Sequence, residues 1–167
     1  MSMSPGMRRL ALTAHITTSV GWLGAVAVFL VLAVVGLRAD DSQTMRGIYI
    51  ALDLTGWRVI VPLSLATLAT GLIQSLGTAW GLFRHYWVIV KLVIAVLATF
   101  VLLLHMGPVS YLARAAANGL FTTTDLLSLR MQLVVDAAAA VLVLLVATAL
   151  SVYKPRGVTP YGWRKLR

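Results

Sequence analysis

The sequence lacks cysteine and glutamate, and only 11% of its 167 residues are charged. The absence of cysteine excludes disulfides, thiolate metal sites and cysteine nucleophiles. Soluble domains carry about 25% charged residues, so the low charge and the mean hydropathy of +0.91 exclude a water-soluble enzyme. The net charge of +9 would suit nucleic acid. However, the cations lie at the ends of apolar segments, and we expect no nucleic-acid binding.

The apolar residues form four long runs, at about 10–37, 48–76, 85–106 and 126–153. A helix needs ~20 apolar residues to cross a hydrocarbon core about 30 Å thick, and each run is long enough. Backbone polar groups at that depth must be bonded within the chain, which helices achieve. The pattern therefore predicts an all-α transmembrane four-helix bundle, up-down-up-down, in a single domain of residues 1–167.

The positive charges outside the runs are unevenly divided between the two sides of such a bundle. Eight Lys and Arg residues lie on the side of both termini and four on the other side, where three Asp residues partly offset them. Because short cytoplasmic loops carry an excess of Lys and Arg, we predict cytoplasmic termini in a bacterial plasma (inner) membrane. The basic tail at 154–167 suits the anionic inner leaflet, so the lipid bilayer is the expected partner.

Prolines and glycines indicate where the helices bend or end. Pro62 predicts a kink in the second run, because proline removes one helical hydrogen bond. Gly107-Pro108 predicts the end of the third helix, followed by a separate interfacial helix over Ser110 to Ala117. Thr124-Asp125 is typical of an N-cap for the fourth helix.

Four charged residues lie within the apolar runs, where a charge costs roughly 2.5–3.5 kcal/mol on insertion scales. They are Asp53, Arg58, Lys91 and Asp136. Arg58 and Asp136 lie at matching depths, so we predict an ion pair between them, which Asp53 shares. We interpret such a cluster as a structural clamp that fixes helix register or as a proton or ion relay; the third alternative is that the charged side chains reach the membrane surface without partners.

Lys91 differs from the other three, because the sequence places no acidic residue at its depth. It shares a helical stripe with small alanines and His105, while the first helix carries His15 and Trp22. These residues predict either a polar, ligand-lined interior or close packing of helices through small side chains.

The histidines and methionines leave two cofactor alternatives open, haem b and copper. His15 and His85 lie at one depth, as the two imidazoles of a b-type haem must, although His85 points about 120° away from the Lys91 stripe. Imidazole with thioether sulfur is a ligand set for Cu(I). That alternative rests on three residues of the opposite side, His105, Met106 and Met131.

Short motifs lie in the first three runs and in the loop before the third. His15 precedes Trp22-Leu23-Gly24, and Thr70-Gly71 precedes the loop residue Gly81 and then Lys91. Through these residues the first three helices distantly resemble the copper-resistance D membrane family. Nearly the whole chain is also similar to four-helix integral membrane proteins of unknown function from high-GC Gram-positive bacteria.

The first resemblance implies copper passage or, through relatives of that family, a di-haem cytochrome of the inner membrane. This chain has half the usual number of spans and carries Asp136 where a histidine of the fourth helix would stand. These departures argue against two haems, and they mean that a transport path would be completed by a homodimer.

The expected function follows from these residues taken together. A nucleophile and a general base do not stand together in the sequence, so we expect no enzyme. We predict small-cation, copper-like permeation or handling by a polar intramembrane interior. Two alternatives stay open: a b-type haem electron-transfer protein, and a structural accessory subunit of a larger membrane complex.

Overall fold

The computed structural model describes residues 3–77, 81–119, 124–155 and 157–166. Its elements are α1 Pro5–Arg38, α2 Ser42–Thr55, a π-helical turn Gly56–Ile60, α3 Val61–Gly77, α4 Tyr86–Ala117, α5 Thr124–Tyr153 and α6 Pro160–Leu166. Because α2, the π turn and α3 are continuous, the chain has four helices long and apolar enough to cross a membrane. The prediction of an all-α chain with four such helices is confirmed.

The four long helices expose most of their apolar surface. In the most apolar stretch of each, at most 28% of the residues are buried. Leu10, Val31, Leu104 and Val135 are each at least 60% exposed. Contiguous apolar surface of this extent is rare on a monomer in water, so the helices are built to be surrounded by lipid or by other apolar helices.

The first two helices begin at side-chain caps. Ser4 Oγ accepts a hydrogen bond from the backbone N–H of Met7, and Pro5 opens α1, where its missing N–H is not needed. Asp41 accepts a hydrogen bond from the N–H of Thr44 at 2.8 Å and caps α2. Hydrogen bonds from Thr44 hold the pKa of Asp41 below its usual value.

The second membrane-length helix is irregular just before Pro62. Its π-helical turn spans Gly56–Ile60, and Pro62 has no N–H to bond the carbonyl of Arg58. The wider π turn lets the helix continue past Pro62 although this hydrogen bond is missing. The irregularity predicted at Pro62 therefore takes the form of a π turn.

The third long helix does not end at Gly107-Pro108, as the sequence predicted. Instead α4 runs through Pro108 to Ala117, and the predicted interfacial helix is its continuation. The residues after Pro108 are buried against neighbouring helices, which outweighs one lost hydrogen bond: Val109, Leu112, Ala113, Ala115 and Ala116. α5 begins at Thr124, but the side chains of the predicted Thr124-Asp125 cap lie outside the described residues.

Residues 157–166 fold back against the segment before α4. Val158 forms an isolated antiparallel bridge with His85. The Thr159 N–H donates to the Arg84 carbonyl at 2.9 Å, and the Thr159 hydroxyl donates to the Phe83 carbonyl at 2.6 Å. The basic tail is thus attached to the protein by specific hydrogen bonds.

The buried residues are unevenly distributed along the helices. The core is dense where the C-terminal half of α1 meets α2, the later part of α4 and the first half of α5. By contrast, no described residue of α1 before Trp22 is buried, and none of α5 after Leu144. The two parts of the bundle therefore differ in how tightly their helices are packed.

Candidate functional site

A close contact between an imidazole and a carboxylate joins α4 to α5 within their apolar stretches. His105 Nε2 lies 2.7 Å from Asp136 Oδ2, and the side chains are 29% and 33% exposed. Arg58, the predicted partner of Asp136, lies in the π turn with its side chain exposed. The predicted Arg58–Asp136 ion pair is therefore not formed. A guanidinium on a long stem can reach polar surroundings alone, whereas the imidazole already contacts the carboxylate.

The second ring nitrogen of His105 is also engaged. Nδ1 lies 2.8 Å from the carbonyl oxygen of Val101, one turn earlier in α4. Asp136 Oδ2 is buried, and no described donor gives it an aligned hydrogen bond. Its contact with Nε2 is therefore short but is not aligned as a hydrogen bond.

Asp53 is held by a hydroxyl group and not by a cation. Ser110 Oγ of α4 donates to Asp53 Oδ1 of α2 at 2.5 Å. Trp57 Nε1 in turn donates to Ser110 Oγ at 3.1 Å. The expectation that Asp53 shares Arg58 is thus not met, because its partner comes from α4.

Arg130 of α5 donates three hydrogen bonds to α1 and α2, a role not predicted from the sequence. Its Nε donates to the Tyr49 hydroxyl at 2.8 Å. Its Nη2 donates to the carbonyls of Gly36 at 2.6 Å and of Leu37 at 3.1 Å. The cation therefore satisfies the last carbonyls of α1, where the helix dipole is negative. The sequence offered one indication of this role, because Arg130 lies more than one turn inside α5 and not in a flanking loop.

Gly36 allows this contact. A Cβ at Gly36 would lie 2.9 Å from Ile48 Cγ2 and 3.4 Å from the ring of Tyr49. Only glycine lets α1 approach α2 this closely, which brings the Tyr49 hydroxyl beside Arg130. We call the area around Gly36, Tyr49, Asp53, Ser110 and Arg130 the Arg130 region.

His15 of α1 contacts the residues that carry the sequence motif. Its Nδ1 lies 3.1 Å from Thr70 Oγ1, which donates its own proton to the Ala66 carbonyl at 2.7 Å. When Thr70 donates to Ala66, its oxygen is the acceptor for His15 Nδ1–H. Thr18 Oγ1 lies 3.3 Å from Thr70 Oγ1. A Cβ at Gly71 would lie 3.0 Å from the imidazole, so glycine makes room for the ring.

Lys91 is near this cluster without bonding to it. Its Nζ lies 5.7 Å from the centre of the Trp87 ring on the same helix, and it is within electrostatic range of His15. In the described part of the chain Lys91 has no carboxylate partner, as the sequence indicated.

We call the area around His15, Thr18, Thr70, Gly71 and Lys91 the His15 region. Trp22, predicted to join it, is buried in the apolar core.

The described contacts give no positive support for a bis-histidine haem site. The His85 ring lies beside Trp87, at 6.4 Å between ring centres, and its backbone pairs with the C-terminal segment. His15 instead turns towards Thr70 of α3. The two imidazoles have different surroundings, so we derive no function through haem.

The copper alternative based on His105, Met106 and Met131 gains no support from the side chains. Met106 is 1% exposed and Met131 is 53% exposed. The Met106 thioether packs against Gly56, where a Cβ would lie 2.8 Å from Sδ, and His105 pairs with Asp136. Within the described ranges, no group of three His or acidic residues could hold a metal ion.

These features define a multi-pass helical membrane protein with polar side-chain contacts between its spans. No family model, curated protein or solved structure matches the chain.

Proposed function

We propose that this chain is an up-down-up-down protein of the bacterial plasma membrane, with both termini in the cytoplasm, that handles a small cation. Two features support the topology: the excess of positive charge on the side of the termini, and the pairing of Val158 with His85. In this topology the segment before α4 lies on the side of both termini.

The observation that carries the function is the grouping of ionisable residues into two clusters along the spans. One is His105 with Asp136, and the other is His15 with Thr18 and Thr70, near Lys91. At 1.5 Å per residue, Lys91 and His105 are about 21 Å apart along α4. Polar residues that face the interior of a bundle mark ion and proton pathways in membranes, and these two clusters cover much of the bilayer thickness.

Small side chains separate the clusters. Between Lys91 and His105, α4 carries Ala95 and Ala98, both partly buried. Such a stretch is a short apolar barrier between a polar region near each membrane surface. Copper is a candidate cargo through the family resemblance, and a homodimer would double the number of spans.

Flux into vesicles tests the proposal. Purified protein would be reconstituted with an internal pH-sensitive dye in one preparation and an internal Cu(I) chelator in the other. We expect wild-type vesicles to admit protons or Cu(I) above protein-free vesicles, and Lys91→Met and Asp136→Asn to abolish this flux. Arg46→Gln, at an exposed site, is the control that should leave it unchanged. If wild-type vesicles pass neither ion, the proposal is wrong and the accessory-subunit alternative gains.

Thiol labelling of intact cells tests the orientation separately. A cysteine at Ser42, in the turn before α2, should react with an impermeant reagent from outside. A cysteine at Tyr161, which is 53% exposed in α6, should react only after the membrane is opened. The reverse pattern would overturn the orientation and would leave the flux result unaffected.

A further inference from the structure

We propose that His105 and Asp136 form a proton-binding site that ties α4 to α5 while it is occupied. The inference deepens the proposed function, because it identifies the small cation at this site as a proton. It rests on the proposed function only for that role in transport. The occupancy of the site is measured without any flux.

The hydrogens on the two ring nitrogens of His105 determine whether the pair holds an additional proton. The carbonyl of Val101 can only accept, so His105 Nδ1, 2.8 Å away, must carry a hydrogen. A neutral imidazole has one N–H, and its Nε2 would then present a lone pair. An ionised carboxylate also presents lone pairs, and Nε2 is 2.7 Å from Asp136 Oδ2. Two acceptors at that distance repel, so one further proton belongs to the pair.

Charge leads to the same conclusion. With the additional proton, the pair is an imidazolium beside a carboxylate, and its net charge is zero. Without the proton, a single negative charge would remain within a membrane-spanning helix pair, where unpaired charge is costly. Asp136 Oδ2 is buried and has no aligned donor among the described residues. A charged ring 2.7 Å away is therefore the group that can stabilise it.

The neighbouring elements do not supply that compensation. The stretch 16–37 of α1 and all of α3 contain no ionisable residue. On α5, Arg130 is engaged by Tyr49 and by the end of α1, and Arg58 of the π turn is exposed. The remaining cations of α2 and of the later part of α4, Arg46 and Arg114, are exposed, and no described contact joins either of them to Asp136. The other ionisable groups of these segments are Asp53 and Tyr111.

Asp53 is the matched comparison within the same bundle. Its carboxylate receives a hydrogen bond from the Ser110 hydroxyl, so it needs no additional proton to be satisfied. The described polar partner of Asp136 is instead the Nε2 atom of His105, at 2.7 Å. The difference makes Asp136, and not Asp53, the carboxylate whose contact depends on proton occupancy.

Release of the proton should separate the two helices at this point. Once the proton leaves, the contact between Nε2 and Oδ2 changes from attractive to repulsive, and no described side chain replaces it. Proton occupancy would therefore control the contact between α4 and α5, which gives the site a way to couple proton binding to movement.

Nuclear magnetic resonance of the detergent-solubilised full chain tests the site. The ring nitrogens of His105 and the carboxyl carbon of Asp136 are followed through a pH titration, with histidine signals assigned by single His→Gln variants. We expect the signals of both residues to change in the same titration step. At pH values below that step, both ring nitrogens of His105 should be protonated. Separate, unrelated steps, or a His105 that stays neutral beside an ionised Asp136 throughout the titration, would overturn the proposal.

Two variants sharpen the result. Asp136→Asn should abolish the coupling of the His105 step to a second residue, whereas Asp53→Asn should leave the His105 signal unchanged. If Asp136→Asn fails to fold, the joint step in the wild-type protein still decides the question. If His105 and Asp136 titrate in one step but the vesicles pass no protons, the proton-binding site stands and the transport proposal is wrong. If the vesicles pass protons but the two residues titrate separately, transport stands and the proposed site is wrong.

Discussion

The Arg130 region and the His15 region are formed by the same long helices but are held together differently. In the Arg130 region, one guanidinium bonds two other helices, and the surrounding apolar residues are buried. In the His15 region, the interhelical bonds are made by Thr70 with His15 and Thr18, and no described residue of α1 nearby is buried.

We interpret the contrast as a division between polar contacts that stabilise the fold and polar contacts that the proposed function can use. A cation that satisfies the end of a helix within a dense core is expensive to remove, because its partners lose their bonds. A pair of hydroxyls in a loosely packed region is inexpensive to rearrange. We therefore expect substitutions in the Arg130 region to lower stability, and substitutions in the His15 region to alter ion handling.

The largest effect on stability is expected for Arg130→Ala. The change removes a charged group that donates to Tyr49, Gly36 and Leu37, and hydrogen bonds to charged groups contribute about 1.5–3 kcal/mol. We expect the free energy of unfolding in detergent to fall by about 2–3 kcal/mol. Arg46→Ala, at an exposed position of α2, is the control, and equal losses in both variants would contradict the comparison.

Gly56→Ala should have the next largest effect. The new Cβ would lie 2.5 Å from Met106 Cε, so the end of this buried side chain would have to shift within the core. Overpacking of this kind costs about 1–3 kcal/mol, measured again by unfolding in detergent. Gly47→Ala meets nothing within 4 Å and should be neutral or stabilising.

The same prediction can be checked by relieving the clash. Adding Met106→Ala to Gly56→Ala should cost less than the sum of the two single changes. Strict additivity would show that the two side chains do not compete for one space.

Ser110→Ala should lower stability by about 1 kcal/mol, the usual contribution of one hydrogen bond. It leaves Asp53 without its hydroxyl donor and Trp57 without its acceptor. Ser151→Ala is matched, because Ser151 Oγ bonds only the Ala147 carbonyl of its own helix. If thermal unfolding shifts equally in both variants, the bond between α2 and α4 contributes nothing.

Thr70→Val in the His15 region should cost only about 0.6 kcal/mol, the average for hydrogen bonds between membrane helices. The variant keeps the shape of the side chain and removes the acceptor of His15 Nδ1. Its ion flux in vesicles should change more than its stability. A large loss of stability with normal flux would reverse the roles given to the two regions.

The smallest effect is expected at Asp41, outside both regions. Because its pKa is held below the usual value by hydrogen bonds from Thr44, the ionised cap contributes to stability at neutral pH. That contribution is lost as the pH falls through the lowered pKa. The stability of the Asp41→Ala variant should therefore depend less on pH than the stability of the wild-type protein does between neutral and acidic conditions. Thermal unfolding followed by circular dichroism at several pH values measures this.

Much of the fold could be predicted from the sequence, because the length and apolarity of a membrane helix are properties of one segment. The exceptions are instructive. Pro108 looked like a helix end, yet the burial of Leu112 and Ala116 keeps α4 intact. Burial of this kind depends on neighbouring helices, which periodicity within one segment does not reveal.

The candidate site was less predictable, because pairing depends on how helices are rotated about their axes. Depth alone placed Arg58 opposite Asp136, but the π turn changes the helix geometry at Arg58, and His105 takes the place opposite Asp136. Arg130 was counted as an ordinary flanking cation, because only the approach of α1 allowed by Gly36 shows which carbonyls it reaches.

The attachment of residues 157–163 to the segment before α4 has a consequence for the order of synthesis. The Phe83 and Arg84 carbonyls bond Thr159, which is 75 positions beyond Arg84. These groups must remain hydrated or transiently bonded while α4 and α5 are inserted. This part of the protein can therefore close only after the ribosome has produced the whole of α5, so insertion of the helices and closure of the fold are separate events.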